Sequence, residues 1–303
     1  MSGRPLVSVV VIFLDAERFL DDAITSVWTQ TYRDWELVLV DDGSSDGSTA
    51  KARRWAERHP KRVRYLEHPE HANQGMSASR NRGIHHARGE YLAFLDADDV
   101  WLPEKLAHQV ALLESWPEAA MVYGPTRWWY SWSGRPEDQG RDFVHPLGVA
   151  PNTLIGPPAL VTLLLANEGA SPCICSILAR RKRVEEVRGF EEAFRGLYED
   201  QAFCAKICLQ FPVVASSNCW YLYRQHPDSA CAVAARTGQA RHRRLEFLSW
   251  LEAYLRSQQV TDPAVWRSLR WERWRCRHSA LDRGLRPAHA LAQRMKHVLA
   301  WDF

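Results

Sequence analysis

Apolar and polar residues alternate in blocks along the first 125 residues. Continuous apolar runs are typical of parallel strands that are covered on both faces, and short runs of this kind recur along this part of the chain. They predict strands at 7–14, 35–40, 63–66, 90–95 and 119–123. The strand at 119–123 is expected to be the last of this series of strands.

Between these runs, apolar residues recur at helical spacing. The first such segment predicts a helix over 19–28, and further helices are expected at about 48–58, at 76–87 and after Pro103. Ser48 or Thr49 follows a turn-rich loop and is suited to cap the second helix. Alternation of strand and helix predicts an α/β fold with a doubly wound, mostly parallel central sheet flanked by helices.

The rhythm changes after residue 125. Trp128, Trp129, Tyr130 and Trp132 crowd together, and the segment 134–158 contains several Gly and Pro residues, which favours a loop or a small subdomain. Helical periodicity returns at 159–166 and 200–210, and basic helices are expected from about residue 236. We therefore predict three parts, 1–125, 126–235 and 236–303.

Composition and charge narrow the class of protein. With 303 residues, 46% apolar and 25% charged, the chain is neither disordered nor collagen-like. The N-terminal apolar run is too short to span a membrane and lacks the flanks of a signal peptide, so we expect a cytoplasmic protein. Residues 236–303 carry 14 Lys and Arg against 6 Asp and Glu. This excess favours either an anionic membrane surface or partner, or an ordinary solvated helical face, and no nucleic-acid partner is expected.

The seven cysteines all lie after residue 172, and most are embedded in apolar stretches. Buried free thiols are the expected state. Cys173 with Cys175, and Cys204 with Cys208, lack the C-x-x-C spacing of a structural zinc site.

Three carboxylate clusters follow short apolar runs, at 41–42, 96–99 and 199–200. In an open α/β sheet the loops after the strands line a shared crevice, so these clusters are expected to converge. Carboxylates crowded at one strand end repel each other unless a cation joins them, which suits Mg²⁺ or Mn²⁺ with a phosphorylated ligand. Two alternatives stay open. Instead of serving a ligand, Asp99 would cap the following helix. Likewise, Glu199 and Asp200 would only stabilise the N-terminus of a helix through its dipole.

Several segments together resemble the glycosyltransferase family 2 proteins, which have the GT-A fold. The resemblance is close over about residues 5–125 and reappears twice later. It is carried by the segments 7–11, 26–32, 35–48, 77–83, 89–99, 198–200 and 223–226.

The resemblance implies roles for individual residues on the donor side. Asp42, with Asp41 as a second candidate, would contact the uracil or ribose of a nucleoside diphosphate. Asp98, with Asp96 nearby, would meet the ribose and the Mg²⁺ or Mn²⁺ that holds the diphosphate. Arg80 would lie close to the donor.

On the acceptor side, the resemblance implies that Asp200 is the catalytic base. A sugar hydroxyl is a poor nucleophile near neutral pH, so a carboxylate must accept its proton during attack. His226 would reach the metal or diphosphate, or would be a surface residue beside Pro227. The tryptophans at 128, 129 and 132 would form a stacking platform for an acceptor sugar, or would pack in the core.

The expected activity is that of a metal-dependent inverting glycosyltransferase. It would move one sugar from a nucleoside diphosphate sugar, with UDP expected, to a hydroxyl of a glycan or other acceptor. Residues 1–125 would bind the donor, 126–235 would hold the acceptor and the base, and 236–303 would form a basic helical extension. An oligomer and peripheral membrane association through this extension stay open.

The chain also departs from the family pattern. Leu14-Asp15 stands where many relatives have Tyr-Asn, and the Gln-x-x-Arg-Trp motif of processive polysaccharide synthases is missing. Two other classes compete with the main hypothesis, a sugar nucleotidyltransferase and a non-catalytic carbohydrate-binding scaffold. The loop after the first strand has no glycine, which disfavours the first, and the retained carboxylates disfavour the second.

Overall fold

A computed structural model describes residues 7–166 and 171–278. Its centre is an eight-stranded sheet with the strand order β3-β2-β1-β4-β10-β6-β11-β9. The strands are β1 (Val7–Phe13), β2 (Trp35–Asp41), β3 (Val63–Glu67), β4 (Tyr91–Asp96), β6 (Met121–Tyr123), β9 (Thr153–Ile155), β10 (Leu178–Arg180) and β11 (Val213–Ala215).

One half of this sheet is parallel. Strands β3, β2, β1 and β4 run in the same direction, and every residue of β1 and β2 is buried. Burial on both faces explains why these strands are continuous apolar runs. The helices of this half are α1 (Leu20–Trp28), α2 (Ser48–Arg58), α3 (Met76–His86) and α4 (Lys105–Ser115). The predicted α/β architecture is confirmed.

The prediction that the strand at 119–123 closes the series is wrong. Strand β6 pairs with β10, which arrives later in the chain and lies antiparallel between β4 and β6. Strands β11 and β9 then extend the sheet beyond β6. Each of these late strands has only three residues, which is too short for a periodic apolar pattern to reveal it.

A second sheet of four strands lies beside the strand ends, in the order β5-β12-β7-β8. Its strands are β5 (Val100–Trp101), β7 (Arg127–Trp129), β8 (Phe143–Val144) and β12 (Tyr221–Arg224). Strands β8 and β9 come from the segment 134–158, for which a loop or small subdomain is expected, and β7 lies just before it. Strand β12 brings a distant part of the chain next to the end of β4.

The second half of the chain is mainly helical. The helices are α5 (Ala159–Ala166), α6 (Arg181–Glu186), α7 (Glu199–Gln210), α8 (Ala230–Arg236), α9 (Ala240–Ser257) and α10 (Pro263–Arg277). Within the described ranges, none of the helices has the length and apolar character that crossing a bilayer requires. The part of the predicted basic extension at 279–303 lies outside the described residues.

All seven cysteines are free thiols. Cys175, Cys204 and Cys208 are buried, as expected from their apolar surroundings, whereas Cys231 is exposed. The expectation of burial therefore holds for only part of the set.

Candidate active site

The ends of three parallel strands meet at one edge of the central sheet. In the register of the sheet, Phe13 of β1 pairs with Asp41 of β2, and Ile12 pairs with Asp96 of β4. Asp41 and Asp96 therefore lie on either side of β1 at the same edge. This is where ligands bind in open α/β sheets.

The side chain of Asp41 is fully used inside the protein. Its Oδ1 accepts a hydrogen bond from the Ser44 N–H at 2.8 Å. Its Oδ2 accepts from the Thr49 hydroxyl at 2.5 Å and from the Tyr65 hydroxyl at 3.2 Å. Asp41 thus anchors the loop after β2 to α2 and β3, and it is completely buried.

Asp42 joins two loops at this edge. Its Oδ1 accepts hydrogen bonds from the N–H groups of Gln74 and Gly75, at 2.8 and 3.0 Å. Gly43, which follows it, has a φ of 89°, and a Cβ atom there would lie 2.8 Å from the His71 carbonyl oxygen. Only glycine lets the loop after β2 approach the loop before α3 this closely.

Asp15, at one of the departures from the family pattern, also serves the loop after β2. Its Oδ1 accepts hydrogen bonds from the N–H groups of Ser45 and Asp46, at 2.6 and 3.3 Å. Its backbone has a φ of 48°, in the left-handed region that Asp tolerates better than most residues. The preceding residue, Leu14, is exposed at the rim of the site.

Arg80 of α3 connects the end of β4 to the start of α7. Its Nη2 donates to Asp96 Oδ1 at 2.6 Å, and its Nη1 donates to Glu199 Oε1 at 2.9 Å. Burial alone would lower the pKa of Arg80, but the two carboxylates outweigh burial and raise it, so the guanidinium stays charged. A buried ion pair of this geometry holds Glu199, and with it Asp200, beside the strand end.

The rest of the segment 77–83 clamps the chain that leads to α7. The Ser77 hydroxyl donates to the Phe194 carbonyl at 2.9 Å. The side-chain amide of Asn81 donates to the Phe190 carbonyl and accepts from the Phe190 N–H, at 3.0 and 2.8 Å. At Gly83, a Cβ atom would lie 2.3 Å from Val10 of β1, so α3 rests directly on the sheet. Ser77, Asn81 and Gly83 therefore each have a distinct positioning role.

Glu199 and Asp200 form the first turn of α7, which begins at Glu199 after Tyr198 in a left-handed conformation with φ 75°. Burial, followed by the charge of Asp200, raises the pKa of Glu199 to about 7. Burial also raises the pKa of Asp200. The helix N-terminus expected for this pair is confirmed, and a carboxyl with a raised pKa is a better proton acceptor than an ordinary aspartate.

Asp98 and His226 face each other at the same edge. His226 Nε2 lies 3.0 Å from Asp98 Oδ2. The His226 side chain is buried, so the alternative of a surface histidine is wrong. Its Nδ1 atom is buried without a hydrogen-bond partner among the residues that the structure describes.

Arg224 holds the chain at Asp98 and Asp99 in place. Its Nε donates to the Asp98 carbonyl at 2.7 Å, and its backbone N–H donates to Asp99 Oδ1 at 2.9 Å. Its Nη2 donates to Asp22 Oδ2 at 3.0 Å. The guanidinium also lies about 5 Å from the ring centres of Phe19, Trp129 and Trp132. The sequence pointed to the segment 223–226 but singled out only His226, since Arg224 acts through partners far away in the chain.

Asp99 does not cap a helix, so that alternative is wrong. It is buried and accepts from Arg224, while α4 begins only at Lys105. Burial and the charges of Asp98 and Asp96 raise its pKa. Ligand atoms of Asp96, Asp99 and Cys175 lie within 4.8 Å of one another, and the Asp96 N–H donates to the Cys175 sulfur. Burial also raises the pKa of this thiol, which favours its neutral form, a weak metal ligand.

The tryptophans after residue 125 belong to two separate groups of rings. Trp132 packs edge-on against Phe19, with ring centres 5.7 Å apart, and its Nε1 donates to the Gln225 carbonyl. Trp128 instead stacks on Phe143 at 5.5 Å with an angle of 18° between the planes. Trp128 and Trp132 therefore do not share a single stack, and the acceptor platform stays a prediction.

Known proteins with related sequences are glycosyltransferases. The family Glycosyl transferase family 2 matches residues 8–184. A putative glycosyltransferase, EpsE of Bacillus subtilis (strain 168), is 38% identical over 114 residues, which are 38% of this chain and 40% of that protein. The Escherichia coli protein WfgD, a UDP-Glc:alpha-D-GlcNAc-diphosphoundecaprenol beta-1,3-glucosyltransferase, is 36% identical over 108 residues, 36% of this chain and 41% of that protein. The match thus spans about two fifths of the length of these relatives.

Two solved structures with a bound nucleotide or nucleotide sugar share the fold. TarS of S. aureus in complex with UDP has a TM-score of 0.57 and 20% identity, with 73% of this chain and 61% of that chain covered. The mannosyltransferase PcManGT from Pyrobaculum calidifontis, in complex with GDP-Man and Mn2+, has a TM-score of 0.60 and 20% identity, with 99% and 82% covered. Since the family match covers more than half of the chain and the fold agrees, the chain belongs to glycosyl transferase family 2.

Proposed function

We propose that this glycosyltransferase is metal-dependent and inverting, and that it moves a sugar from a nucleoside diphosphate sugar, with UDP favoured, to a hydroxyl of a growing glycan or another acceptor. The observation that carries the proposal is the double ion pair of Arg80. This residue joins Asp96 to Glu199 and so brings Asp200 to the strand end that also carries Asp98. A candidate base and a candidate metal ligand thus lie at one edge.

The donor is assigned to the edge formed by β1, β2 and β4. Asp42 is the candidate for the nucleoside, and Asp41 would support it by holding the loop after β2, since both Asp41 carboxylate oxygens bind within that loop and its neighbours. The structural relatives support a nucleotide sugar here, because TarS was solved with UDP and PcManGT with GDP-Man. A binding test should therefore include both nucleotides.

The pair of Asp98 and His226 fits a divalent cation. An octahedral ion with bonds of about 2.1 Å holds neighbouring ligand atoms about 3 Å apart, and Asp98 Oδ2 and His226 Nε2 are 3.0 Å apart. The imidazole nitrogen favours Mn²⁺ over Mg²⁺, which prefers oxygen ligands. When bound, the ion would stabilise the charge that develops on the departing diphosphate.

Asp200 is assigned the role of the base. Its carboxylate would accept the proton of the acceptor hydroxyl as the oxygen attacks the anomeric carbon and the bond to the diphosphate breaks. Attack in one step from the face opposite the leaving group inverts the anomeric configuration. The raised pKa of Asp200 makes it a stronger proton acceptor, and Glu199 is held away from the acceptor by its bond to Arg80.

Calorimetry with UDP, GDP and their sugars, with Mn²⁺, Mg²⁺ or a chelator, tests the metal site and the donor. Mn²⁺ should tighten nucleotide binding, and Asp98→Asn should remove this gain. Asp34→Asn is the matched control, since Asp34 is exposed next to the opposite end of β2. Equal binding with a chelator present would refute the metal site.

Turnover tests the base. Asp200→Asn should keep donor binding within a few-fold and lower kcat by about 100-fold or more. Full transfer by this variant would show that another group is the base. Formation of pyrophosphate from a nucleoside triphosphate and a sugar phosphate would favour the nucleotidyltransferase alternative, and glycan binding without any donor binding would favour a scaffold.

The calorimetry and turnover experiments do not test the other expectations from the sequence. The division into parts at 125 and 235, the oligomeric state, the absence of a nucleic-acid partner and the peripheral membrane association through residues 236–303 stay predictions.

A further inference from the structure

Helix α10 presents a continuous outer face opposite its buried side. The helix buries Val265, Leu269 and Glu272, and it packs against α5 and α9. With 3.6 residues per turn, six other residues fall within a sector of about 120° on the opposite side. We call this set the outer face of α10, and it comprises Arg267, Arg270, Trp271, Trp274, Arg277 and His278.

Aromatic rings form a ridge along this face. Trp271 and Trp274 stack with ring centres 5.1 Å apart and planes at 13°. Trp274 in turn stacks on His278 at 5.0 Å and 26°. Trp271 is 37% exposed, which is high for such a large apolar side chain. The rings thus support each other while the ridge stays accessible to solvent.

Exposed cations flank the ridge. Arg267, Arg270 and Arg277 are all exposed. Arg241 of α9 adds a further cation at one end, where it donates to the Arg277 carbonyl.

The neighbouring acidic groups are already engaged by other basic side chains. Glu252 pairs with Arg273 and Arg256, and Glu272 pairs with Arg244 and Arg275. On α9, Glu246 pairs with His242 and Arg243. The outer face of α10 therefore combines an aromatic ridge with positive charge.

We propose that the outer face of α10 docks on an anionic lipid surface. Tryptophan rings are amphipathic and settle at the level of lipid headgroups, and arginines bind lipid phosphates. A nucleic acid is a poorer fit, since strong binding needs many phosphate contacts and single-stranded bases need aromatic rings that stand free to stack on them. The proposal does not depend on the reaction catalysed.

Vesicle flotation of the full chain tests this surface. The probes are phosphatidylcholine vesicles with and without phosphatidylglycerol. Binding should require the anionic lipid and weaken at high salt. Because each basic side chain near such a surface changes the binding constant about five-fold, a triple variant with Arg267→Gln, Arg270→Gln and Arg277→Gln should lose on the order of 100-fold.

A matched triple variant removes the same charge elsewhere. It carries Arg54→Gln, Arg58→Gln and Arg135→Gln, at exposed positions outside α9 and α10. It should bind vesicles like the unmodified chain, and both variants should keep the same Tm. An equal loss in the two variants, or no binding of the unmodified chain to anionic vesicles, would overturn the proposal. Duplex or single-stranded DNA that binds tighter than the vesicles, and through the same three arginines, would reassign the face to nucleic acid.

Discussion

Replacement of Glu199 by Gln should change how stability depends on pH. Three carboxyl groups, those of Asp96, Glu199 and Asp200, surround the single guanidinium of Arg80. With all three ionised, the group would carry excess negative charge in a place from which water is largely excluded. Retention of a proton by Glu199 relieves this repulsion, which agrees with its pKa of about 7.

The direction in which Glu199 changes stability with pH follows from proton binding. The ordinary pKa of a glutamate is 4.5, and in the folded protein that of Glu199 is about 7. Between these values the folded state binds more protons than the unfolded state, so the contribution of Glu199 to stability is present at low pH and is lost as the pH rises through 7. From about pH 5 to about pH 8, the loss amounts to roughly 2–3 kcal/mol.

Gln resembles the neutral form of Glu and keeps an oxygen that accepts from Arg80. The Glu199→Gln variant should therefore match the unmodified chain near pH 5. By about pH 8 its free energy of unfolding should be higher by roughly 2–3 kcal/mol. Urea unfolding at a series of pH values, with the linear extrapolation of each curve, gives this difference directly.

Glu118→Gln serves as the control, since Glu118 is exposed. Its difference from the unmodified chain should stay within about 0.5 kcal/mol at every pH. If the Glu199→Gln difference stays constant from pH 5 to pH 8, or falls as the pH rises, the argument about the crowded carboxyl groups is refuted.

Three further predictions concern other parts of the site and its support. Gly83→Ala should lower the free energy of unfolding by about 1–3 kcal/mol, because the new Cβ would meet Val10. In the double variant, Val10→Ala should recover part of this loss, and purely additive losses of the two substitutions would contradict the reasoning. Lys105 is buried, and burial lowers its pKa to about 7. Lys105→Met should therefore be more stable than the unmodified chain at pH 7, and urea unfolding should show this gain shrink by about 3 kcal/mol towards pH 10. A difference that does not depend on pH would argue that the amine is charged. Arg224→Lys should weaken Mn²⁺ binding about ten-fold, as measured by calorimetry, because the Asp98 carbonyl loses the hydrogen bond from Arg224 Nε; unchanged affinity would remove that positioning role.

Local patterns were enough to locate most elements of the first 125 residues, although they missed the two-residue strand β5. Strand β1 was predicted at 7–14 and spans Val7–Phe13, and α3 was predicted at 76–87 and spans Met76–His86. The pattern of β1 arises from burial on both faces, which leaves a continuous apolar run in the sequence, whereas the buried side of α3 is mostly polar. The carboxylate clusters were chosen as polar residues that follow an apolar run, whereas Arg80 and His226 were chosen only from the family resemblance.

The late strands were beyond the reach of such patterns. Strand β10 has three residues and inserts between two strands that precede it in the chain by more than 50 residues. Its position depends on pairing with distant partners, which three residues cannot encode by their own spacing. The expected end of the sheet at β6 was wrong for this reason.

By itself, the sequence determined the class of fold, the family resemblance and the types of residue at the sheet edge, since these depend on burial and on short motifs. Only the tertiary structure decided which carboxylates meet. Arg80 pairs with Glu199, which is 119 positions away in the chain, and Arg224 pairs with Asp22, which is 202 positions away. The structure also shows that the Asp41 side chain points into the loop after β2, which it anchors. These outcomes depend on long-range packing, because a charged side chain binds whichever partner the folded backbone brings within reach, and spacing along the chain does not contain that information.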